Sequence, residues 1–535
     1  YYTPHLLASF ITNRVLSFKR DFQHILEPSA GDGVFVNCIF ENTHHSISDF
    51  SITVIEKNKD ELIKINSIFE KNPNRNINYN PLEGDYLKLY RTLNNKYDII
   101  IGNPPYIAKK RLTDSQITES NSILKNAGLK GQTNNIWPSF LVSCISLLKD
   151  DGIISFVLPS EMLQVKFSEE IRELLKKTFE RIEIYTFNEL LFDTIGQDTV
   201  IFIGFMKSDN KGIFYSNINK IEDLQINNYS LEKNDLLCDN NYKWIHHFLS
   251  QDELELISRL RKNLNLVCNF CISKPGIVTA ANDFFIVNEA IVEKYKLQSL
   301  VKPIIQKGIF VNGKVEFDKN DFISLKADGH PSNLIYFHNK IISKHSKHNQ
   351  AYLKKAYRKK IHKRYKMTVR DNWHIIPNLV EPLDAFFFKR SHLYPKLIKN
   401  SANVYVTDSA YSIKMNKCYD INSFIYSFYN SLTLIFAEMK GRYYGGGVLE
   451  LTPSEFKNLP IPYVSINSKG FNTFKLEFAN KTNIEEVLNK NDIHILKENF
   501  NVTDEELATL RQIRQKLISK RTNKSILPLN SLSHT

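Results

Sequence analysis

An apolar run followed by a polar and aromatic loop is the part of this chain best suited to chemistry. Residues 98–101 are typical of a short buried strand in a parallel sheet. Asn103-Pro104-Pro105-Tyr106 follows, and its prolines exclude both ladder pairing and helix because each fixes φ and lacks an N–H. A carboxamide acceptor, fixed main-chain carbonyls and an aromatic ring can together bind a planar group that carries an amine. The loop therefore predicts chemistry on an exocyclic amine, with a simple turn as the alternative.

Alternating strand and helix patterns must position this loop. The predicted strands are residues 24–27, 52–56, 97–101, 152–158, 181–186 and 199–206. The predicted helices are residues 6–17, 60–69, 137–148 and 168–179. Such alternation predicts an α/β domain with a parallel or mostly parallel sheet. In open sheets of this kind, ligands bind beyond the carboxyl ends of the strands, where the loop lies.

Composition limits the class of protein. The 535 residues are 42% hydrophobic, which is enough for two or three domains with real cores. No apolar run is long enough to span a membrane, and six cysteines are too few for a disulfide framework. We therefore expect a cytoplasmic protein without a membrane partner, whose first residues before Tyr1 are missing. One Cys268-x-x-Cys271 pair has no second pair at zinc spacing, so no metal site is predicted.

Charge divides the chain into unlike parts. Residues 1–210 carry 23 Lys and Arg against 26 Asp and Glu, whereas residues 211–535 carry 47 against 31. A basic second part suggests a polyanionic partner, although a merely soluble basic surface is the alternative. The strand and helix alternation also stops near residue 210. Thr503-x-x-Glu506 resembles a capping box that begins a helix to about Arg521. We predict domains at 1–210 and 211–500, with a terminal helix and tail at 501–535.

Small and acidic residues at three other places in the first part of the chain could also contact a ligand. Leu26-Glu27-Pro28-Ser29-Ala30-Gly31-Asp32-Gly33 follows the first strand, and its small residues allow close backbone approach to a ligand. Glu56 ends the second strand, where a carboxylate can accept from ribose hydroxyls. Gly84-Asp85-Tyr86 precedes another loop. Each feature is weak by itself, since a lone acidic residue at a strand end is more often solvated than functional.

In order along the chain, these features resemble a known motif series. Tyr2-Thr3-Pro4, residues 26–33, Ile55-Glu56, Gly84-Asp85-Tyr86 and Asn103-Pro104-Pro105-Tyr106 are similar to those of the S-adenosylmethionine-dependent DNA N6-adenine methyltransferases. The resemblance covers about residues 1–206 and points to the group with cofactor motifs first and the target recognition domain last, as in type II restriction–modification systems. It implies an α/β Rossmann-like mixed sheet followed by an α+β DNA target recognition domain.

The resemblance also implies roles for individual residues. S-adenosyl-L-methionine would be the cofactor, bound by Thr3, Pro4, Glu27, Ala30, Gly31, Gly33, Glu56, Asp85, Tyr86 and Asn103. The catalytic residues would be Asn103, Pro104, Pro105 and Tyr106. Asn103 and the Pro104 carbonyl would accept hydrogen bonds from a target amine whose lone pair is otherwise conjugated with its ring. The target base must leave the duplex, and Tyr106 and Phe192 would stack on its two faces.

The segment between Lys340 and Lys366 is the strongest basic patch. It holds eleven Lys or Arg, three His and no acidic residue, with Tyr352, Tyr357 and Tyr365 interleaved. Such density favours phosphate contact, since basic residues fall on every predicted helix face; a solvated face is the alternative. The predicted DNA-binding residues are Lys354, Lys355, Arg358, Lys359, Lys360, Lys363 and Arg364. Arg442, in a glycine-rich segment that more loosely resembles type II recognition domains, is predicted to contact DNA as well.

Three alternatives to adenine methylation remain open. N4-cytosine methyltransferases act on a similar amine, but they more often carry Ser where Asn103 stands. Protein glutamine N5-methyltransferases share the Asn-Pro-Pro-Tyr loop but lack a basic second domain. A non-enzymatic DNA-binding protein is disfavoured by the intact loop. The expected partners are double-stranded DNA, bound as a monomer, and a restriction endonuclease encoded separately.

Overall fold

The fold comes from a computed structural model of the chain. It describes residues 2–17, 22–43, 49–71, 77–93, 96–164, 166–187, 199–234, 243–244, 248–338, 341–377, 379, 381–444 and 447–522. These form two compact units, residues 1–251 and 252–535. No described helix is long and apolar enough to cross a membrane.

The first unit alternates strands and helices. Its strands are β1 (Phe22–Glu27), β2 (Asp49–Glu56), β3 (Ile77–Glu83), β4 (Tyr97–Gly102), β5 (Leu148–Pro159), β6 (Arg181–Phe187), β7 (Thr199–Phe205), β8 (Gly212–Ile218) and β9 (Glu232–Lys233). Its helices are α1 (His5–Leu16), α2 (Val34–Thr43), α3 (Lys59–Lys71), α4 (Tyr86–Leu89), α5 (Asp114–Asn126), α6 (Trp137–Leu147), α7 (Glu161–Gln164) and α8 (Glu169–Thr178).

One mixed sheet organises the described part of this unit. Its order is β3-β2-β1-β4-β5-β7-β6-β8-β9. The strands from β3 to β5 are parallel, and β7 runs antiparallel between β5 and β6. β4 is buried at every position, as its apolar sequence requires. The predicted α/β class and Rossmann-like mixed sheet are confirmed.

The parallel strands bring the predicted motifs to one edge. β1 ends at Glu27, β2 at Glu56, β3 just before Gly84 and β4 at Gly102. Because these four strands are parallel neighbours, the loops that follow them emerge side by side. Gly33 ends the first of these loops with φ +78°, and a Cβ there would approach Ile65 Cγ1 of α3 to 2.8 Å. Glycine is therefore required for α3 to pack close to this loop.

The second unit is α+β with smaller sheets. Its larger sheet has the order β11 (Cys271–Pro275), β20 (Ala410–Met415), β16 (Ala385–Phe388), β18 (Lys396–Asn400) and β14 (Glu316–Phe317). A second sheet comprises β12 (Ile286–Val287), β15 (Asn333–Ile335), β13 (Val301–Ile305) and β19 (Tyr405–Val406). The remaining strands are β10 (Asn265–Leu266), β17 (Arg390–Ser391), β21 (Arg442–Tyr444), β22 (Val448–Glu450) and β23 (Pro460–Ile461). Its helices of eight or more residues are Gln251–Arg261, Lys319–Ala327, Lys347–Arg358, Ile421–Phe428, Ser431–Lys440, Ser468–Asn480, Ile484–Asp492 and Asp504–Thr522.

The predicted boundary at residue 210 differs from the compact units. β8 pairs in parallel with β6 beyond that residue, so the first sheet continues and its unit extends to Gln251. The terminal helix Asp504–Thr522 begins with the predicted capping box, in which Thr503 N donates to Glu506 Oε2 at 2.9 Å. It packs on the helix Ser431–Lys440. Residues 504–522 are therefore part of the second unit's core.

A buried ion pair joins these two helices. Arg521 donates through Nε and Nη2 to the Glu438 carboxylate at 2.8 and 2.9 Å, and both side chains are at most 3% exposed. Arg521→Met leaves the Glu438 charge buried without its partner, so we expect the free energy of unfolding of this unit to fall by about 3–5 kcal/mol. Denaturant unfolding monitored by circular dichroism measures this change. The double variant Glu438→Met/Arg521→Met should recover most of the loss, and equal losses in both variants would contradict the explanation.

Candidate active site

A cavity of about 570 Å³ opens at the carboxyl edge of the sheet. Its lining comes from the loops after β1, β2, β3 and β4 and from the residues just before α1. Residues of α2, α4, α5, α6 and β7 complete it. The lining residues are Tyr2, Thr3, Glu27, Pro28, Ser29, Ala30, Gly31, Asp32, Val34, Phe35, Ile55, Glu56, Lys57, Gly84, Asp85, Tyr86, Asn103, Pro104, Pro105, Tyr106, Ile107, Arg111, Gln116, Ile136, Phe140 and Thr199. One cavity thus brings together most of the residues predicted for catalysis and cofactor binding.

Asn103 is fixed by three hydrogen bonds. Its Nδ2 donates to Thr3 Oγ1 at 3.1 Å, and its Oδ1 accepts from the Tyr106 hydroxyl at 2.8 Å. The main-chain oxygen accepts from Ser29 Oγ at 3.2 Å. A carboxamide oxygen has two lone pairs, so Oδ1 retains capacity for one further donor. The side chain is therefore preorganised with an acceptor in the cavity wall.

Tyr106 connects the loop to the neighbouring strand. Its hydroxyl lies 2.7 Å from the Val157 carbonyl of β5, so its single proton is shared between that carbonyl and Asn103 Oδ1. Burial raises the pKa of this phenol well above its usual value, so the hydroxyl stays protonated and available as a donor. The hydroxyl thereby anchors the ring in the cavity wall, while stacking of the ring on a base stays a prediction.

Glu27 has an unusual environment for a carboxylate. It is 1% exposed, and neither of its oxygens has a hydrogen-bond partner among the described residues. Burial raises its pKa well above the ordinary value, and the nearby charges of Asp32 and Glu56 add to the effect. An unpartnered polar group of this kind costs free energy unless a ligand satisfies it. Glu27 therefore marks the wall of the cavity where a donor or a cation should bind.

Glu56 and Asp85 shape the cavity in another way. The Glu56 carboxylate accepts from the backbone N–H groups of Gly31 and Asn58 at 2.8 and 2.7 Å. Asp85 caps α4 by accepting from Leu87 N, and Gln116 Nε2 and Lys57 Nζ lie 3.5 and 3.7 Å from its Oδ2. Both carboxylates line the cavity while they hold its loops in place.

Four other predicted site residues are buried, lie outside the cavity lining or lie outside the described residues. Tyr86 lines the cavity but is 2% exposed, and its hydroxyl lies 3.0 Å from Cys144 Sγ. Pro4 and Gly33 lie outside the lining: Pro4 precedes α1, and Gly33 packs on α3. Phe192 lies outside the described residues. The roles predicted for these four residues stay predictions, as do those of the residues that line the cavity.

Sequence reasoning missed several lining residues. Thr199 begins β7 and is 2% exposed, and its hydroxyl has no hydrogen-bond partner among the described residues. Tyr2 belongs to the motif series without a predicted role of its own, and it donates to Glu61 Oε1 of α3 at 2.8 Å beside the loop after β1. Phe140 of α6 contacts the Tyr86 ring, with the two centroids 5.0 Å apart. The sequence carries no local signal for Phe140 or Thr199, because both sit in ordinary apolar runs.

The basic segment of the second unit corrects one expectation. Basic residues do not fall on every face of the helix Lys347–Arg358, because Tyr352, Leu353 and Ala356 are buried in the core of that unit. The Tyr352 ring stacks on Phe284 and its hydroxyl donates to the Phe284 carbonyl, so this aromatic is structural. The basic side chains predicted to bind DNA in this segment are all exposed, namely Lys354, Lys355, Arg358, Lys359, Lys360, Lys363 and Arg364.

Two predicted DNA contacts are already paired with acids. Arg364 forms a bidentate pair with Asp283 at 2.8 and 2.9 Å, which lowers the pKa of that carboxyl. Arg442 donates to Glu455 Oε1 at 3.0 Å. Tyr357 stacks on the His362 ring at 3.9 Å, and Tyr365 is 81% exposed. The described part of the segment thus offers exposed lysines without an acidic partner there, one arginine that is paired with Asp283, and the exposed ring of Tyr365.

Comparison with known proteins identifies the relatives of both units. Residues 10–192 match the Eco57I restriction-modification methylase family, and residues 241–496 match the C-terminal domain of type II methyltransferase M.Eco57I. The chain belongs with the Eco57I-type restriction-modification methylases. S-adenosyl-L-methionine is the cofactor of this methylase class, and the unpartnered Glu27 carboxylate with the small residues of its loop fits such a positively charged ligand.

The chain is similar to two named methylases and to one solved structure. It is 25% identical over 525 residues to the type II methyltransferase M.AccI of Acinetobacter calcoaceticus, covering 92% of each chain. It is 29% identical over 181 residues to the modification methylase CviBIII of Paramecium bursaria Chlorella virus NC1A, covering 33% of this chain and 41% of that one. Against the type IIG restriction endonuclease BpuSI the TM-score is 0.43 at 17% identity, covering 97% of this chain and 66% of that one.

Proposed function

We propose that this methylase transfers a methyl group from S-adenosyl-L-methionine to N6 of an adenine flipped out of duplex DNA. The proposal depends on one observation: the Asn103–Tyr106 loop and the unpartnered Glu27 carboxylate line the same cavity. Asn rather than Ser at the head of the loop favours adenine over cytosine. The modification role in a restriction–modification system, with a separately encoded endonuclease, belongs to the same proposal.

The residues of the loop act on the target amine. Asn103 Oδ1 and the Pro104 carbonyl accept hydrogen bonds from its two N–H groups, which draws the hydrogens out of the ring plane and localises the lone pair on nitrogen. When bound, the cofactor supplies a methyl group on an electron-deficient sulfur. Glu27 binds the positively charged cofactor, and Glu56 and Asp85 hold its ribose and adenine parts. Positioning and fixed dipoles therefore contribute most of the rate, without a covalent enzyme intermediate.

The exposed lysines of the basic segment bind DNA phosphates in this proposal. Replacing Lys359, Lys360 and Lys363 together with alanine should weaken binding to duplex DNA by at least tenfold at moderate salt. The slope of log K against log salt should become shallower by about 0.9 for each phosphate contact removed. Fluorescence anisotropy at four salt concentrations measures both quantities.

A matched control separates contact from net charge. Lys319, Lys457 and Lys469 are also exposed and lie in the same unit outside the basic segment. Their triple alanine variant carries the same charge change and should leave the salt slope near that of the parent protein. Equal effects of the two triple variants would count against a phosphate-binding role for the basic segment.

The reaction itself is tested in a methylation-deficient host. The chain is expressed there, and the DNA is sequenced by a long-read method sensitive to modified bases. We expect N6-methyladenine at one recurring sequence in the cells that express the protein and none in cells that express Asn103→Ala. N4-methylcytosine at a recurring sequence would overturn the adenine assignment. Unmodified DNA, together with inactivity of the purified protein on duplex DNA, would overturn the proposed function.

A further inference from the structure

Asn103 is held by a residue one hundred positions earlier in the chain. Its Nδ2 donates to Thr3 Oγ1 at 3.1 Å, while Tyr106 occupies one lone pair of its Oδ1. Thr3 is 6% exposed. The contact therefore lies in a region with little competing water, where a hydrogen bond restrains the rotation of a carboxamide most effectively.

Thr3 is itself held in place by the anchoring of α1. The Pro4 carbonyl accepts from the backbone N–H groups of Leu7 and Ala8 at 3.0 and 3.1 Å, and both residues are fully buried. At the other end of the helix, Arg14 donates to the Glu183 carboxylate of β6 at 3.1 and 2.6 Å. That carboxylate is 0% exposed. The segment that carries Thr3 thus has a fixed position on the sheet.

The orientation of the Asn103 amide decides what the target amine meets. With Nδ2 toward Thr3, the amide presents its oxygen as an acceptor for an N–H. A half-turn about the Cβ–Cγ bond would exchange the two ends and present an N–H donor to the donor groups of the amine. Such a pairing is repulsive, and it would leave the amine lone pair conjugated with its ring.

We propose that Thr3 is a positioning residue that orients the Asn103 carboxamide for the reaction. The inference deepens the proposed function and depends on it. The resemblance to known methyltransferases assigns Thr3 to the cofactor, whereas the hydrogen bond gives it a second task at the reacting amine. The effect of Thr3 should therefore appear in the rate of the chemical step.

Two substitutions at this position separate the hydroxyl from the bulk of the side chain. Thr3→Val keeps the shape and removes the hydroxyl, and it should lower kcat about tenfold, as expected for loss of one buried hydrogen bond. Thr3→Ser keeps the hydroxyl and should stay within about twofold of the parent kcat. The Kd for S-adenosyl-L-methionine, measured by calorimetry, should change much less in Thr3→Val than the rate of methyl transfer does. Single-turnover methylation of duplex DNA, followed by mass spectrometry of methyladenine, gives the chemical rate.

Tyr106→Phe provides a second, independent readout. The substitution removes the other side-chain hydrogen bond to the Asn103 carboxamide and keeps the aromatic ring. If both hydroxyls orient one amide, the rate losses of Thr3→Val and Tyr106→Phe should be non-additive in the double variant. Strictly additive losses would overturn the proposal.

The remaining outcomes are distinguishable. A raised Kd with unchanged kcat in Thr3→Val would mean that Thr3 only contacts the cofactor and would overturn the proposal. Equal losses in Thr3→Val and Thr3→Ser would indicate packing alone and would overturn it too. An unchanged Thr3→Val in an active parent enzyme refutes only this inference. A parent protein that forms no methyladenine refutes the proposed function instead.

Discussion

Asn103→Ala is expected to lower the rate of methyl transfer by about 10²–10³-fold, the range seen when one preorganised polar contact at a reacting centre is removed. The substitution deletes the acceptor that Thr3 and Tyr106 hold in place. Cofactor binding should remain largely intact, because Glu27, Glu56 and Asp85 stay in the cavity. Single-turnover kinetics on duplex DNA and calorimetry with S-adenosyl-L-methionine measure the two quantities separately.

Asn134→Ala is the matched control for this experiment. Asn134 is exposed, lies in the connection between α5 and α6, and does not line the cavity. Its variant should keep the parent rate. Loss of both methyl transfer and cofactor binding in Asn103→Ala would show that Asn103 holds the cofactor more than the amine.

Glu27→Gln is expected to weaken cofactor binding by at least about 30-fold. Loss of one partner of a buried charge pair costs about 2 kcal/mol or more, and each 1.4 kcal/mol is tenfold in affinity. Glu83→Gln is the control, because Glu83 ends β3 and is exposed outside the cavity lining. Calorimetry of both variants with S-adenosyl-L-methionine measures the effect. Unchanged affinity in Glu27→Gln would mean that the buried carboxylate has another purpose.

The same residue should make cofactor binding depend on pH. Burial, with the charges of Asp32 and Glu56, raises the pKa of Glu27 in the free protein. A bound cation favours the ionised carboxylate and lowers that pKa, so binding releases a proton and affinity rises as the pH rises toward the raised pKa of the free protein. Calorimetry in two buffers of different ionisation enthalpy detects the released proton. Glu27→Gln should abolish this release.

The free energy of unfolding of the cofactor-free protein should fall as pH rises, whereas its affinity for the cofactor rises. Because the folded-state pKa of Glu27 lies above the unfolded value near 4.5, the folded protein binds more protons between the two. The free energy of unfolding therefore falls as pH rises through this window. Glu27→Gln should remove this contribution, and thermal unfolding across the window checks its sign.

Much of the first unit could be predicted from apolar runs and the residues that follow them. All six predicted strands are present, and the loops after four parallel strands carry the motifs that line the cavity. The strand β3 was missed because Asn78, Asn80 and Pro81 interrupt its apolar pattern, which an edge strand tolerates. The strand β8 begins just beyond residue 210, where the alternation of strand and helix patterns ends, so the sequence does not predict it.

Other features depend on contacts that the sequence does not display. The hydrogen bond from Asn103 to Thr3 joins residues that are distant in the chain, and only the folded sheet brings them together. In the basic segment, lysines are so frequent that the sequence does not predict the buried helix face formed by Tyr352, Leu353 and Ala356. The ion pairs of Arg364 and Arg442 likewise require tertiary structure to be seen.

The buried pair between Arg521 and Glu438 has a consequence for the order of events during synthesis. The strands of the first sheet lie between residues 22 and 233, so that sheet can assemble while the ribosome still makes the rest of the chain. The core of the second unit lacks the partner of Glu438 until residue 521 has left the exit tunnel. A nascent chain would thus complete the first sheet and its cavity before the second unit acquires the partner of Glu438.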